Sequence, residues 1–222
     1  MEDKIFGFDR AASWDYENGF YLTSDPSRLP KILAHYELYR SIVGLPGHVA
    51  EFGVYKGASL VRWCSFRDVL EASHSRKIIG FDAFGKFPDQ PNAQDQDFVR
   101  SFERAGGDGI PADELEKALK LKRFVNFELV AGDICETLPE YVDNHPELKL
   151  SLVHIDVDVY EPTTVILSQL YDRVVRGGLI VMDDYGIIPG ETRAVDKFFA
   201  EKGGVLIEKS SVTHTPSYIR KR

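Results

Sequence analysis

The sequence predicts an α/β protein, a mostly parallel sheet of seven strands with helices on both faces. Three observations carry this. From residue 48 onward, short apolar runs alternate with longer segments of helical periodicity, the pattern of strand-helix-strand units. The runs are almost continuously apolar, as strands are when helices cover both faces. Successive runs also end in acids, at Asp82, Asp133, Asp156 and the pair Asp183 and Asp184. Ligands of parallel α/β sheets bind in that place, beyond the carboxyl ends of the strands.

In chain order, residues 1–27 come first. They carry Phe6, Phe8, Trp14, Tyr16, Phe20 and Tyr21, too apolar for a disordered tail, and read as an aromatic arm or lid ahead of one domain over residues 28–222. In "RLPKILAHYELYRSIV", residues 28–43, Leu29, Ile32, Leu33, Tyr36 and Tyr39 or Arg40 recur at helical spacing, and "LPG" ends the helix. "HVAEF" is the first core strand, "GVYKGAS" its turn, and a helix follows over 58–71. "KIIGFD" is the second strand. The long connection 83–123 holds one or two helices, since "PADELEKALKL" puts acids before lysines. "FVNFELVAGD" is the third strand, "ETLPEYVDN" a short helix, "LSLVHID" the fourth strand and "TTVILSQLYDRV" a helix. "LIVMDD" is the fifth strand and "TRAVDKFFAEK" a helix. "VLIEKS" and "PSYIRKR" close the sheet as an antiparallel pair.

Bulk composition excludes several classes. A charge of −8 over 222 residues, with no basic stripe, argues against nucleic acid. No apolar run approaches the roughly 20 residues of a membrane helix, and "MEDKIFGFDR" has no leader pattern. The two cysteines, Cys64 and Cys135, have no CxxC spacing and suit a reducing compartment. The expectation is a cytoplasmic protein without membrane or nucleic-acid partners, alone or as a homo-oligomer.

The chemistry gathers at the strand ends. "EFGVYKGAS" lacks the GxGxxG dinucleotide fingerprint, because Tyr55 stands two after Gly53. A diphosphate on that helix N-terminus is disfavoured, and with it a nicotinamide oxidoreductase. Glu51 would also repel phosphate but could accept from an ammonium. Asp82 is placed to grip a ribose diol, and Asp133 to meet an adenine amino group. A nucleoside bearing an ammonium and needing no phosphate site fits S-adenosylmethionine. Asp156, Asp183 and Asp184 become neighbours if strands four and five are adjacent. Three close carboxylates repel unless a cation joins them, and oxygen-only donors select a hard cation, Mg²⁺, Ca²⁺ or Mn²⁺, over Zn²⁺. Asp158 reads as the cap of the next helix, and His154 as a structural strand histidine with a minor candidacy as a base.

These segments resemble a known family. "YLTSDPSRLPKILAHYELYR", "VAEFGVYKGASLVRW", "KIIGFDAFGKFP", "VHIDVDVYEPT", "GGLIVMDDYG" and "GETRAVDKFF" are together similar to the macrocin O-methyltransferase (TylF/MycF) family, over about residues 20–199. The resemblance implies a Rossmann-like class I SAM-dependent methyltransferase fold, bound Mg²⁺, and methylation of a hydroxyl on a small-molecule sugar in natural product biosynthesis. It implies that Glu51, Gly53, Tyr55, Lys56 and Ser59 meet the cofactor's methionine end. Asp82 would then take the ribose, and Asp133 with Ile134 the adenine. It favours Asp156 over Asp158 as the third metal ligand with Asp183 and Asp184, and gives Asp156 a second role as general base. A catechol-like acceptor, or a non-catalytic sugar-binding protein of the same fold, remains as an alternative.

Overall fold

The computed structural model describes residues 4–222. Met1, Glu2 and Asp3, where the expected arm begins, lie outside the described residues. A small hairpin, β1 (Lys4–Ile5) and β2 (Phe8–Asp9), leads through a 3-10 turn to α1 (Ser13–Thr23). Then come α2 (Arg28–Ile42), β3 (His48–Phe52), α3 (Ala58–Leu70) and β4 (Ile78–Asp82). The long connection holds two helices, α4 (Ala93–Gly106) and α5 (Ala112–Leu121). It is followed by β5 (Phe127–Ala131), α6 (Ile134–Asn144), β6 (Leu150–Ile155), α7 (Tyr160–Leu170) and β7 (Val174–Met182). The chain closes with α8 (Pro189–Lys202), β8 (Glu208–Lys209) and β9 (Ser217–Arg220).

The seven-stranded sheet has the order β5-β4-β3-β6-β7-β9-β8. β3 to β7 pair in parallel, and β9 is antiparallel to both β7 and β8. Strand order reverses between β3 and β6, which opens a crevice at their carboxyl ends.

Side-chain alternation builds two core layers. Phe52, Phe81, Val153, Ile155, Ile180 and Met182 pack toward α6, α7 and α8. Val49, Ile78, Leu152, Leu179 and Val181 pack with Leu38, Trp63 and Leu115 on the other side. Glu51, His154, Asp156 and Asp183 share the parity of the second set. Period two therefore aims all four toward the layer of α2 and α3. Each large apolar side chain buried here stabilises the fold by about 1.5–3 kcal/mol.

Several boundaries moved for physical reasons. α2 buries Ala34, His35, Leu38, Tyr39 and Ile42, while Leu29 and Leu33 are exposed. Only its C-terminal part packs on the domain; its first turn overhangs the crevice. α6 starts at Ile134 because the Asp133 side chain accepts from the Cys135 amide and caps it. The helix expected to reach Val174 stops at Leu170, and β7 begins at Val174 instead of Leu179. Gly178 explains why β7 carries glycines inside the strand, since a Cβ there would sit 2.9 Å from the Ser151 carbonyl oxygen. Cys64 and Cys135 are free thiols. Among the described residues, no helix is long and apolar enough to cross a membrane.

Candidate active site

A cavity of about 570 Å³ lies over the carboxyl ends of the parallel strands, large enough for a cofactor-sized ligand. Its floor carries Gly53, Asp82, Asp133, Asp156 and Asp183, and residues of the 83–109 segment form its roof. The roof is tied to the β3–α3 turn. Tyr55 Oη and Lys56 Nζ both donate to the Gly106 carbonyl at 2.6 Å, and the Ile110 amide donates to the Tyr55 carbonyl.

Most of the expected cofactor residues line this cavity: Gly53, Tyr55, Lys56, Ser59, Asp82, Asp133 and Ile134. Gly53 has φ +87°, and a Cβ there would lie 1.8 Å from the Asp156 carbonyl oxygen. Glycine is thus needed for the strand ends to close on each other, not only for ligand approach. Asp82 accepts from the Val54 and Tyr55 amides through Oδ2 at 2.7 and 2.9 Å, and from the Phe84 amide through Oδ1. It shapes the turn as well as facing the cavity.

Glu51 departs from expectation. It is fully buried and does not line the cavity. Its Oε1 accepts from Trp63 Nε1 at 3.3 Å and from His154 Nδ1 at 2.9 Å. The cause is its place on β3: it lies before the last strand residue and faces the layer that α2 and α3 cover.

The acids at the ends of β6 and β7 converge. Ligand oxygens of Asp156, Asp183 and Asp184 lie within 4.8 Å of one another. Burial, then the Asp183 charge, holds Asp156 well above the usual carboxylate range, and the same two causes raise Asp184. Burial also opposes the charge of Asp183, but hydrogen bonding from His154 and the nearby Lys31 ammonium leave it well below that range. Lys31 Nζ bonds Asp183 Oδ2 directly. His154 spans Glu51 and Asp183, with Nε2 3.4 Å from Asp183 Oδ1. Burial works against its charge, yet these two carboxylates push it up to about 10. His35 stacks on Trp63 at 4.7 Å. Burial lowers it to about 4, and neither of its ring nitrogens makes a hydrogen bond.

Two groups of donors thus surround Asp183. His35, His154 and Asp183 converge as well, but both ring nitrogens of His154 are already turned to carboxylates, Nδ1 to Glu51 and Nε2 to Asp183. The all-oxygen trio of Asp156, Asp183 and Asp184 fits a hard divalent cation. Its excess of buried carboxylate, with Lys31 as the nearby ammonium, is what such an ion would balance.

Asp158 is not a helix cap, contrary to the sequence reading. It adopts φ +64°, and Val159 precedes α7 without a side-chain cap. The α7 amide of Tyr160 is instead taken by Asp95 Oδ2 at 3.0 Å, reaching across from α4. Asp158 faces the cavity and hydrogen-bonds Asp184; burial, then the Asp156 charge, pushes it up to about 9.

Sequence reasoning missed Lys31, His35, Arg62 and Glu191. Glu191 is buried in the first turn of α8, accepts from the Asp184 amide at 3.1 Å, and leaves Oε2 unpartnered. In sequence it is an ordinary acid at a helix start. Lys31 and His35 carry no local signal, since only the packing of α2 across the ends of β6 and β7 brings them in.

The sheet order, the glycine turn and the row of strand-end acids define a class I methyltransferase fold, and solved structures agree. The calicheamicin methyltransferase CalS11 superposes with a TM-score of 0.78 over 94% of this chain and 85% of that one, at 25% identity. The O-methyltransferase NovP matches with a TM-score of 0.72 over 86% and 79%, at 21% identity, and speaks for the fold alone. Residues 30–221 match the profile of the macrocin-O-methyltransferase (TylF) family, and the chain belongs to that family. It is 28% identical over 151 residues to the 8-demethyl-8-(2,3-dimethoxy-alpha-L-rhamnosyl)-tetracenomycin-C 4'-O-methyltransferase of Streptomyces olivaceus, covering 65% of this chain and 55% of the relative. It is 27% identical over 167 residues to the demethyldecarbamoylnovobiocin O-methyltransferase of Streptomyces niveus, covering 71% and 60%. The matched region thus spans little more than half of these curated relatives.

Proposed function

We propose that the protein transfers a methyl group from S-adenosylmethionine to a hydroxyl of a small-molecule sugar, with Mg²⁺ bound by Asp156, Asp183 and Asp184. The observation that carries this reading is the convergence of those carboxylates beside the Gly53–Ser59 turn in one cavity. The names of relatives support it. The Streptomyces olivaceus protein and a mycinamicin III 3''-O-methyltransferase of Micromonospora griseorubida, 27% identical over 187 residues, are both O-methyltransferases, and the former's name includes a rhamnosyl group.

The donor supplies a methyl group on a sulfonium, so the protein's task is to align an acceptor oxygen with it. A divalent ion in the trio would supply the positive charge that lowers a sugar hydroxyl's pKa. Asp183, oriented by His154 and Lys31, and Asp184, whose amide is held by Glu191, set the geometry of the donor set. Asp156 was expected to take the proton as well. Asp158 faces the same cavity and stands outside the trio. Its pKa of about 9 keeps it protonated until a cation in the trio offsets the neighbouring Asp156 and Asp184 charges, and with that cation bound it would be the carboxylate free to accept the proton. The roof tied down by Tyr55 and Lys56 covers part of the cavity.

The test is a screen of methyl transfer from labelled S-adenosylmethionine onto nucleotide deoxysugars, glycosides and catechols, with Mg²⁺ and after chelation. Metal-dependent labelling of a sugar is the expected result. Labelling confined to catechols would move the acceptor class, and activity surviving thorough chelation would remove the metal.

A further inference from the structure

The cavity has a cationic end that the metal and strand-end chemistry leave unused. Arg28, in the first turn of α2, and Arg62, one turn into α3, both line it. Lys31 lies beside them, but its ammonium is committed to Asp183. Neither guanidinium makes a hydrogen bond or closes an ion pair with a carboxylate among the described residues, although Arg62 is half-buried. The two arginines also work against each other: burial first, and then the Arg28 charge, lower the Arg62 pKa. The charges of Glu51, Asp183 and Asp156 reach Arg62 from the metal side, which places it near the trio. A fold that lines one end of a cavity with two unpaired guanidiniums, Arg28 exposed and Arg62 half-buried, has a use for an anion between them, because planar forks of this kind grip carboxylate and phosphate oxygens.

We propose that Arg28 and Arg62 form an oxyanion seat at the α2–α3 end of the cavity. The inference rests on the methyltransferase reading for its first ligand source, the α-carboxylate of the donor's amino-acid tail. The seat lies beside the turn that carries Gly53, Tyr55 and Ser59, while the remaining walls of the cavity are rich in carboxylates that suit the tail's ammonium and not its carboxylate. The second source is a phosphate carried by the acceptor. At a net charge of −8 the protein does little to draw anions from a distance, so such recognition has to be local.

Calorimetry on the full chain separates these cases with three probes: S-adenosylhomocysteine, 5′-methylthioadenosine, which lacks the amino-acid tail, and thymidine diphosphate. Arg62→Met and Arg28→Met should weaken S-adenosylhomocysteine by roughly 10- to 100-fold, the loss of a charge-assisted hydrogen bond, and leave 5′-methylthioadenosine unchanged. Arg62→Lys should recover part of the loss. If S-adenosylhomocysteine is unaffected and thymidine diphosphate binding is lost, the seat serves the acceptor. If variants with wild-type melting temperatures bind all three probes as the wild type does, there is no seat. Wild-type protein that binds no S-adenosylhomocysteine would overturn the methyltransferase reading instead, and the diphosphate arm would still decide the seat. Arg28 is exposed, so its variant guards against misfolding at the half-buried Arg62.

Discussion

Four carboxylates share one corner of the cavity, and they should not respond alike to neutralisation. Asp183→Asn and Asp184→Asn each remove one anionic ligand and leave an amide oxygen that coordinates weakly. Both should raise the Mg²⁺ concentration needed for activity by at least about 10- to 100-fold, the loss typical of removing even an outer partner of a metal ligand. Extra metal should partly rescue them. Asp156→Asn should lose metal affinity in the same way, whereas Asp158→Asn should bind metal as the wild type does and lose turnover. Titration of Mg²⁺ by calorimetry, set beside single-turnover rates, reads both. Normal metal affinity with no turnover in Asp156→Asn would return the base to Asp156. All four variants should bind S-adenosylhomocysteine, because the residues proposed to hold it stand at the carboxyl ends of β3, β4 and β5.

At the scale of elements, α4 and α1 make contrasting claims. The Asp95 side chain is buried and caps α7 from a different helix. Asp95→Ala should cost about 1–3 kcal/mol in a denaturant titration, because it strands a helix-start amide. It should also lower turnover, since Tyr160 lies two residues beyond Asp158. α1 buries none of its residues, and Trp14, Tyr21 and Leu22 are exposed. Its hairpin is anchored more firmly: the Phe6 amide donates to Glu114 Oε2 at 3.1 Å, and the ring packs against the α2–α3 core layer. We propose the segment as a lid. Deleting residues 1–23 should leave a protein that melts cooperatively, binds S-adenosylhomocysteine and has lost turnover. Unchanged turnover on the natural acceptor would show that it is no lid.

Across the whole molecule, Arg76 ties the pieces together. It is buried, pairs with Glu71 through Nε and Nη2 at 2.8 and 2.6 Å, and donates to the carbonyls of Leu45 and Gly47. One side chain thus joins the ends of α2 and α3 to the start of β3. Arg76→Ala should destabilise by about 3–5 kcal/mol, because a buried ion partner is left alone. Burial raises the Glu71 pKa, but hydrogen bonds from Arg76 and Tyr39 outweigh it, so Glu71 titrates below its ordinary 4.5. Its contribution is complete above the unfolded value and is lost as the pH falls through the lower folded one. Glu71→Gln should therefore flatten the acid limb of the stability profile below about pH 4.5, measured by denaturant midpoints.

The order of elements and the sheet class were legible because strand and helix periods are local properties of the chain. So were Asp82, Asp133, Asp156, Asp183 and Asp184, since an acid closing an apolar run marks a strand end without knowledge of the fold. Three things were not legible. Glu51 looked like a cofactor ligand because its position suited one, and only the layer of Trp63 and His154 over it shows that it faces away from the cavity. Asp158 looked like a helix cap because Asp before a helix is usually one, yet the cap comes from Asp95, more than sixty residues earlier in the chain. Lys31, Arg28, Arg62 and Glu191 had no local pattern at all. By itself the sequence determined which strands exist and which of them end in acid. Tertiary structure alone decided which of those side chains face one another, because that depends on how helices distant in sequence cross the strand ends.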